Sequence, residues 1–321
     1  MSSNFKNLYT SNNPPLDVLL MRGSKLESIH KVHAVISDKK GRVLMCAGNP
    51  EYKSFIRSAL KPFQAIPFVS SGASSKIKNS SRSIALSCGS HSGSILHTRE
   101  AFKILWEYDI DNKNLKCPSK IISPLEHNCS GKHAAFLATC KKLNWPLESY
   151  LKQDHPLQVE IFRIISEFLE IPLENLYAER DDCGAPIIYM KLLEMAKLYS
   201  LLSSSDNAEL EQISRAMTTN PTMISDNNRF DTEVIQASHG QVISKGGAEG
   251  IQCLCKINEG MGLAIKVEDG SKRAKQAVGL HLLKQLEWIS ELRIQDIEDK
   301  VLKFSDGVQI KVKGQLKFQE S

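Results

Sequence analysis

A serine and a lysine three positions apart, Ser58 and Lys61 in RSALKPFQ, are the first residues of this chain whose types and spacing could do chemistry. On a helix, residues i and i+3 lie on one face, about 5–6 Å apart at Cβ, so the Lys61 amine could reach the Ser58 hydroxyl. Pro62 does not oppose a helix, because it would fall among the first four N–H groups, which lack an intrahelical partner. The spacing allows an activated serine, although an N-cap serine and a solvated lysine explain it equally.

Three more loops place reactive side chains beside glycine: SHSG from Ser90, NCSGKH from 128 to 133, and SKGG around Lys245. A serine is a poor nucleophile until a base takes its proton. Lysine can be that base only if burial or cationic neighbours lower its pKa. Lys61 as the base, with Lys245 as a second cation, satisfies both demands. An S-x-x-K helix, then a serine loop, then K-small-G is also the order in penicillin-binding proteins and class A β-lactamases.

Composition restricts the class of protein. The chain has 321 residues, 41% hydrophobic and 24% charged, which is typical of a globular protein and sufficient for a large core. The net charge of +5 is scattered, which argues against a nucleic-acid or membrane partner. The N-terminal segment lacks the apolar core of a signal peptide and no apolar run reaches 18 residues, so we expect a cytoplasmic protein. The eight cysteines without a C-x-x-C pair are expected to be thiols.

The pattern along the chain predicts an α+β fold. KVHAVISDKKGRVLMCAG is typical of a β-hairpin that turns between Asp38 and Gly41, and QVISKGG, IQCLCKI, GLAIKVED and GVQIKVKGQLKF predict strands. Helices are predicted over 58–71 (with a bend at Pro67), 97–109, 130–145, 155–169, 186–203, 208–218, 231–238 and 271–290. Residues 112–127 are expected to be connecting structure and 201–207 a mobile loop. Strands at both ends and helices between them indicate one antiparallel sheet with an inserted helical lobe.

A family resemblance follows from longer motifs in this order. RSALKPFQAIPFVSSGA, ALSCGSHSG, HNCSGKHAAFLATC, DDCGAP, RFDTEVI, SKGGAEG and GLAIKVEDG resemble the rhizobial, inducible type of L-asparaginase, from about residue 19 to beyond 270. That family is similar in fold to serine β-lactamases and serine-dependent glutaminases. The resemblance implies a single domain over 1–321, with a sheet lobe at about 15–60 and 235–321 and a helical lobe at about 60–235. A homodimer is the expected assembly.

The resemblance also implies which residues react. It pairs Ser58 with Lys61 and Ser90 with Lys245. Lys266 is a rival for the second lysine, but the two glycines after Lys245 leave the backbone accessible to a ligand, whereas Lys266 is expected at an outward position of a strand.

A zinc site is implied by the resemblance as well, formed by Cys129, Lys132 and Cys183. Thiolates are good zinc ligands, and Cys129 and Lys132 would share one helical face. Lysine is an unusual ligand because it must lose its proton, although a metal can drive that loss. Two unliganded thiols in a polar pocket are the alternative. No organic cofactor is expected.

The expected reaction is hydrolysis of L-asparagine to L-aspartate and ammonia, with Ser58 as the nucleophile and Ser90 as its rival for that role. A glutaminase remains open, since one methylene is worth only about 1–3 kcal/mol in a fitted pocket. The third hypothesis is that the protein is not an enzyme and only binds amino acids or zinc.

A free amino acid needs groups that recognise its carboxylate and its ammonium. Candidates for binding the carboxylate are Arg57, His91 and Lys132. Candidates for binding the ammonium are Asp182, Asp231 and Glu249.

Overall fold

An antiparallel sheet forms the centre of the fold, in a computed structural model that describes residues 13–118, 123–204 and 206–318. The strands are β1 (Leu16–Arg22), β2 (Lys25–Asp38), β3 (Val43–Ala47), β4 (Lys53–Phe55), β5 (Tyr177–Arg180), β6 (Pro186–Lys191), β7 (Val242–Gly246), β8 (Ile251–Lys256), β9 (Met261–Val267), β10 (Val308–Lys313) and β11 (Lys317–Phe318). The main sheet has the order β10-β1-β2-β9-β8-β7, with β3 beside β2 and β11 beside β3. Strands from the two ends of the chain therefore share one sheet, as predicted.

The middle of the chain supplies most of the helices. They are α1 (Lys61–Gln64), α2 (Ile66–Ser70), α3 (Ser80–Cys88), α4 (Ile95–Trp106), α5 (Ser130–Lys142), α6 (Pro156–Leu169), α7 (Leu192–Ser203), α8 (Ala208–Thr219), α9 (Phe230–Ala237), α10 (Lys272–Gln285) and α11 (Glu291–Val301). A short 3-10 helix, Arg57–Leu60, precedes α1. Most of these helices lie near their predicted positions, but no helix was predicted at α3 or at α11. The hairpin of β2 and β3 is confirmed, with Ser37 paired to Val43 across its turn.

Both faces of β7, β8 and β9 are covered, which explains why nearly every residue of these strands is buried. In β8 the side chains alternate: Cys253 and Cys255 belong to the core on the side of the helical lobe, and Leu254 belongs to the core beneath α10 and α11. α7 packs against β9 at Gly262, where a Cβ would lie 2.1 Å from the Ala196 carbonyl oxygen. A glycine at this position therefore permits the close approach of helix and sheet.

Two helix predictions were wrong in part. The predicted helix over 186–203 begins as a strand, β6, which pairs with β4 and β5 in a second, three-stranded sheet, and becomes helical only at α7. The predicted helix over 58–71 is divided: the 3-10 helix leads into α1, and α2 begins after a break at Ala65, just before Pro67. The division keeps Ser58 on a short turn at the edge of the second sheet.

Two predicted segments lie partly outside the described residues. The connection at 112–127 includes 119–122, and the loop at 201–207 includes 205. In the part of the chain that the structure describes, no helix is both long and apolar enough to cross a membrane.

Candidate active site

A cavity of about 550 Å³ lies between the helical lobe and the end of β7, the edge strand of the main sheet. Ser58, Ser90, Cys129, Cys183 and Asp231 all line it. These residues come from five separate stretches of sequence, and the topology therefore brings the predicted serines and thiols to one cavity.

Ser90 lies between two buried lysines. Its hydroxyl oxygen is 3.0 Å from Lys61 Nζ and 3.0 Å from Lys245 Nζ. Lys61 also donates to the Gly89 carbonyl at 2.5 Å, and Lys245 donates to the Gly246 carbonyl at 2.7 Å. Gly89 itself has to be small, because a Cβ there would lie 2.4 Å from the Met223 carbonyl oxygen. The end of α3 is thereby held where Ser90 meets both amines.

Burial and charge make Lys245 a candidate base. It is fully buried. Burial lowers its pKa to about 8, with Lys61 and Lys275 adding to that effect. The Asp231 carboxylate, 3.8 Å from Lys245 Nζ, acts in the opposite direction and favours the charged amine. A lysine with a pKa near the working pH can both accept and return a proton.

Ser58 lies on the wall of the same cavity and is half-buried. It follows Arg57, whose φ of 54° lies in the left-handed region, where a residue with a side chain is uncommon. Among the described residues the Ser58 hydroxyl makes no hydrogen bond to Lys61, whose ammonium is directed to Gly89 and Ser90 instead. The predicted contact between Lys61 and Ser58 is therefore replaced by a contact between Lys61 and Ser90.

Arg57 and Asp182 were predicted to bind opposite ends of a substrate, but they bind each other. Arg57 Nη2 lies 2.5 Å from the Asp182 carboxylate, and Arg57 Nε lies 2.9 Å from Asp181. Asp181 directly precedes Asp182 in DDCGAP, so its role could have been inferred from that motif. The two ion pairs connect the turn that carries Ser58 to the loop that carries Cys183.

Two further candidates for substrate binding do not line the cavity. His91 is 1% exposed, stacks on His97 and faces the Ser130 hydroxyl at 3.1 Å. Burial, with the neighbouring His97 and Lys61, holds its pKa well below the usual value, so the imidazole is neutral and offers no charge to a carboxylate. Glu249 has its carboxylate beside Gly270, and its carbonyl accepts a hydrogen bond from Lys266 at 2.7 Å.

Lys266 was expected to point outward, which is wrong. Its side chain is 5% exposed, and its amine donates to the carbonyls of Glu249 and Val267. The expectation failed because helices cover both faces of the sheet. Its hydrogen bonds hold the turn after β7, whereas Lys245 contacts Ser90.

The thiol cluster consists of Cys129, Lys132 and Cys183, which the fold brings together. Lys132 Nζ lies 3.3 Å from Cys183 Sγ, and both side chains are buried. A hydrogen bond from Cys129, helped by the Lys132 charge, lowers the pKa of the Cys183 thiol far below its usual range. Burial would lower the pKa of Lys132, but Cys183, Cys129 and Asp181 outweigh it and raise that pKa. These directions favour a thiolate at Cys183 beside an ammonium ion at Lys132.

The donor set of the thiol cluster fits a zinc ion in chemistry, because two sulfurs and an amine are ligands that zinc accepts. The Cys129 thiol and the Lys132 ammonium would have to lose their protons first, which metal binding can drive. Within the described ranges no three His, Cys, Asp or Glu side chains are grouped to hold a metal.

Solved structures give distant likenesses. A β-lactamase from Mycobacterium bovis is 10% identical, with 81% of this chain and 95% of that chain covered and a TM-score of 0.39. A Bacillus glutaminase in 4.3 M NaCl is 11% identical, with 80% and 91% covered and a TM-score of 0.36. Mglu in its glutamate form is 11% identical, with 80% and 61% covered and a TM-score of 0.40, so the match spans less than two thirds of Mglu.

The family match is decisive by comparison. No curated protein sequence matches this chain. The family model described as L-asparaginase II matches residues 18–318, which is nearly the whole chain. The chain therefore belongs to the L-asparaginase II family.

Proposed function

We propose that this member of the L-asparaginase II family hydrolyses the side-chain amide of L-asparagine to L-aspartate and ammonia through an acyl-enzyme on Ser58. The observation that carries the proposal is the Ser90 hydroxyl, 3.0 Å from each of two buried lysine amines at a cavity that Ser58 also lines. A serine nucleophile needs a base and a route for its proton. Lys61, Ser90 and Lys245 form a continuous hydrogen-bonded chain that can supply both.

In the proposed acylation, Lys61 acts as a free amine that turns from the Gly89 carbonyl toward Ser58. The Ser58 oxygen attacks the amide carbon as its proton passes to this amine. The negative charge that develops on the carbonyl oxygen needs N–H donors, and the Ser58 N–H, in the first turn of its short helix, is a candidate. Ser90 then delivers a proton to the amide nitrogen and is reprotonated by a lysine. The C–N bond breaks, ammonia leaves, and an aspartyl ester remains on Ser58.

Deacylation reverses these roles. A lysine amine that has given up its proton removes one from water, directly or through Ser90. The resulting hydroxide attacks the ester carbon, the C–O bond to Ser58 breaks, and the proton returns to the Ser58 oxygen. The pKa of Lys245, about 8, suits it to hold the proton between the two half-reactions.

Zinc is proposed as the occupant of the thiol cluster, held by Cys129, Lys132 and Cys183. When bound, the ion would supply a positive charge that orients polar groups of the substrate. The two serines and two lysines already provide the nucleophile and the base, so no step of the proposed reaction requires the ion to activate water. Removal of a zinc-binding residue is therefore expected to affect substrate binding more than turnover.

The test is ammonia release from asparagine and from glutamine in parallel, for the wild type and for Ser58→Ala, Ser90→Ala and Ser92→Ala. Ser92 is the control, because it is an exposed serine of the same loop as Ser90. We expect turnover of asparagine and a loss of about 10³-fold or more in kcat for Ser58→Ala. Mass spectrometry of rapidly quenched enzyme should find the aspartyl adduct on the peptide that contains Ser58.

Two outcomes would contradict the proposal. An adduct on the Ser90 peptide, together with near-normal turnover by Ser58→Ala, would show that Ser90 is the nucleophile and Ser58 is not. If the wild type released ammonia only from glutamine, the substrate would be glutamine and not asparagine. Equal losses in Ser92→Ala and Ser58→Ala would mean that the loops were disturbed and that neither serine had been tested, so the melting temperature of each variant has to be compared with that of the wild type.

A further inference from the structure

The amino-acid end of the proposed substrate needs partners that the sequence did not identify. Arg57 and Asp182 neutralise each other, and His91 is neutral and buried. Asp231 remains from the predicted set, as a buried carboxylate that lines the cavity. A carboxylate alone cannot bind the substrate's own α-carboxylate.

Gly246, the last residue of β7, leaves an open position beside Asp231. Its φ does not lie in the left-handed region, so the backbone does not require glycine there. A Cβ at Gly246 would lie 3.1 Å from Lys275 Nζ, 3.1 Å from Gln252 Oε1 and 3.5 Å from Asp231 Oδ2. All three side chains line the cavity. The missing side chain therefore exposes a cation, an amide oxygen and a carboxylate around one point, which we name the Gly246 cradle.

Lys275 has capacity to bind an anion. Its amine donates to the Gly247 carbonyl at 2.9 Å, and none of the ion pairs among the described residues includes it. An ammonium has three N–H donors, so two remain. Lys272, one turn earlier on α10, also lines the cavity but is exposed to solvent. Lys275 is thus the partly buried cation at the cradle.

Gln252 can accept a hydrogen bond from a cation. It is 1% exposed, and its amide nitrogen donates to Asp231 Oδ1 and to Ser244 at 2.9 Å each. Its oxygen accepts no hydrogen bond from the described residues, and the side chain lines the cavity, so the oxygen can accept one from a ligand there. Asp231 Oδ2 accepts from the Gly246 N–H at 2.9 Å and can accept more. Two acceptors therefore lie at the cradle together with Lys275.

We propose that the Gly246 cradle binds the zwitterionic end of the substrate: Lys275 Nζ binds the α-carboxylate, and Gln252 Oε1 with Asp231 Oδ2 accepts hydrogen bonds from the α-ammonium. The inference rests on the proposed function and specifies its substrate class, which is free α-amino acids that carry a side-chain amide. Because Lys275 and Lys245 bind the carbonyls of the consecutive residues Gly247 and Gly246, the bound head group lies next to the amine that contacts Ser90.

The test compares Lys275→Met with Lys272→Met on three amides. Asparagine has both charged groups, succinamate lacks the α-ammonium, and 3-aminopropanamide lacks the α-carboxylate. For Lys275→Met we expect KM to rise about tenfold or more for asparagine and succinamate, since a charge-assisted hydrogen bond is lost, with kcat changed only a few-fold. The KM for 3-aminopropanamide should not change, Lys275→Arg should recover part of the loss, and Lys272→Met should resemble the wild type.

Lys275 also lowers the pKa of Lys245 by its charge, and that effect predicts a different result. If Lys275 acted only on Lys245, Lys275→Met would displace the pH profile of kcat toward higher pH and affect all three amides alike. That result would overturn the proposal. A KM for asparagine that does not change in Lys275→Met would overturn it as well.

Calorimetric binding of L-aspartate separates this inference from the proposed function. If the wild type binds aspartate, and Lys275→Met and Gly246→Ala both weaken that binding, the inference holds even where no ammonia is released from asparagine. In Gly246→Ala the new methyl group fills the cradle, and the flexible Lys275 and Gln252 side chains can yield to it, so the melting temperature should change little. Absence of aspartate binding by the wild type, or wild-type binding by Lys275→Met, would refute the inference.

Discussion

Lys245 and Lys132 are both buried lysines beside the same cavity, yet their surroundings shift their pKa values in opposite directions. Lys245 faces Ser90 and two other lysines with one carboxylate nearby, and burial lowers its pKa to about 8. Lys132 faces Cys183, Cys129 and Asp181, and its pKa is raised. Burial is nearly the same for the two amines, at 0% and 2% exposed, so burial does not decide the difference.

The sign of the neighbouring charges decides it. A buried amine among cations and hydroxyls loses its proton readily and can act as a base. A buried amine beside a thiolate keeps its proton until another cation replaces it. One cavity thus separates a region suited to proton transfer from a region suited to holding a positive charge, whether that charge belongs to Lys132 or to a metal.

The largest expected effect on turnover is at Lys245, in the region suited to proton transfer. Lys245→Arg retains the charge but cannot lose it, because the guanidinium pKa exceeds about 12. We expect kcat to fall by about 10²–10⁴-fold, the usual contribution of a general base. The matched control is Lys266→Arg, a buried lysine that binds carbonyls away from Ser90. Normal turnover by Lys245→Arg would show that Lys245 is a permanent cation, and the contrast between the two lysines would be lost.

A smaller effect is expected in the thiol cluster. Cys183→Ala removes the thiolate, and we expect zinc affinity to fall about tenfold or more and KM to rise more than kcat falls. Cys117→Ala is the control, since Cys117 is a nearby buried thiol whose pKa burial raises to about 12. Metal content measured on protein purified without added zinc accompanies the kinetics. If the loss falls entirely on kcat, the thiol cluster takes part in the chemistry rather than in substrate binding.

The smallest expected effect is a change in pH dependence. Neutral Lys245 is required as a base, so kcat should rise with pH through an apparent pKa of about 8. Asp231 raises that pKa by favouring the charged amine, so Asp231→Asn should move the rise toward lower pH, by about one unit for a charge at this distance. Profiles of kcat for the wild type and the variant provide the measurement. A shift toward higher pH would mean that another group governs the profile.

The sequence predicted the sheet well because strand periodicity and turn residues are local signals. It failed at β6, where PIIYMK runs directly into α7: an apolar run without alternation does not distinguish a strand from a buried helix. Pairing with β4 and β5 decides the structure there, and those partners are distant in sequence.

The candidate site was predictable where motifs carry several reactive residues together. Asp181 could have been found beside Asp182, but Lys275 could not, because KVEDGSKRAK contains several basic residues and no spacing singles one out. The i, i+3 rule predicted a contact of Lys61 with Ser58, which the structure does not show. It could not foresee that the end of α3 would present the Gly89 carbonyl and the Ser90 hydroxyl to the same amine.

The contact at Gly262 has a mechanical consequence. The missing side chain lets the backbone of α7 approach β9 so closely that the two elements cannot slide past each other without a clash. Helix and sheet should therefore open as one cooperative unit, and amide hydrogens on both sides of this contact should exchange with solvent at similar, slow rates. We therefore expect the local opening that admits a substrate to occur in the turns around the cavity, such as the turn after β7. Separation of the helical lobe from the sheet is not expected.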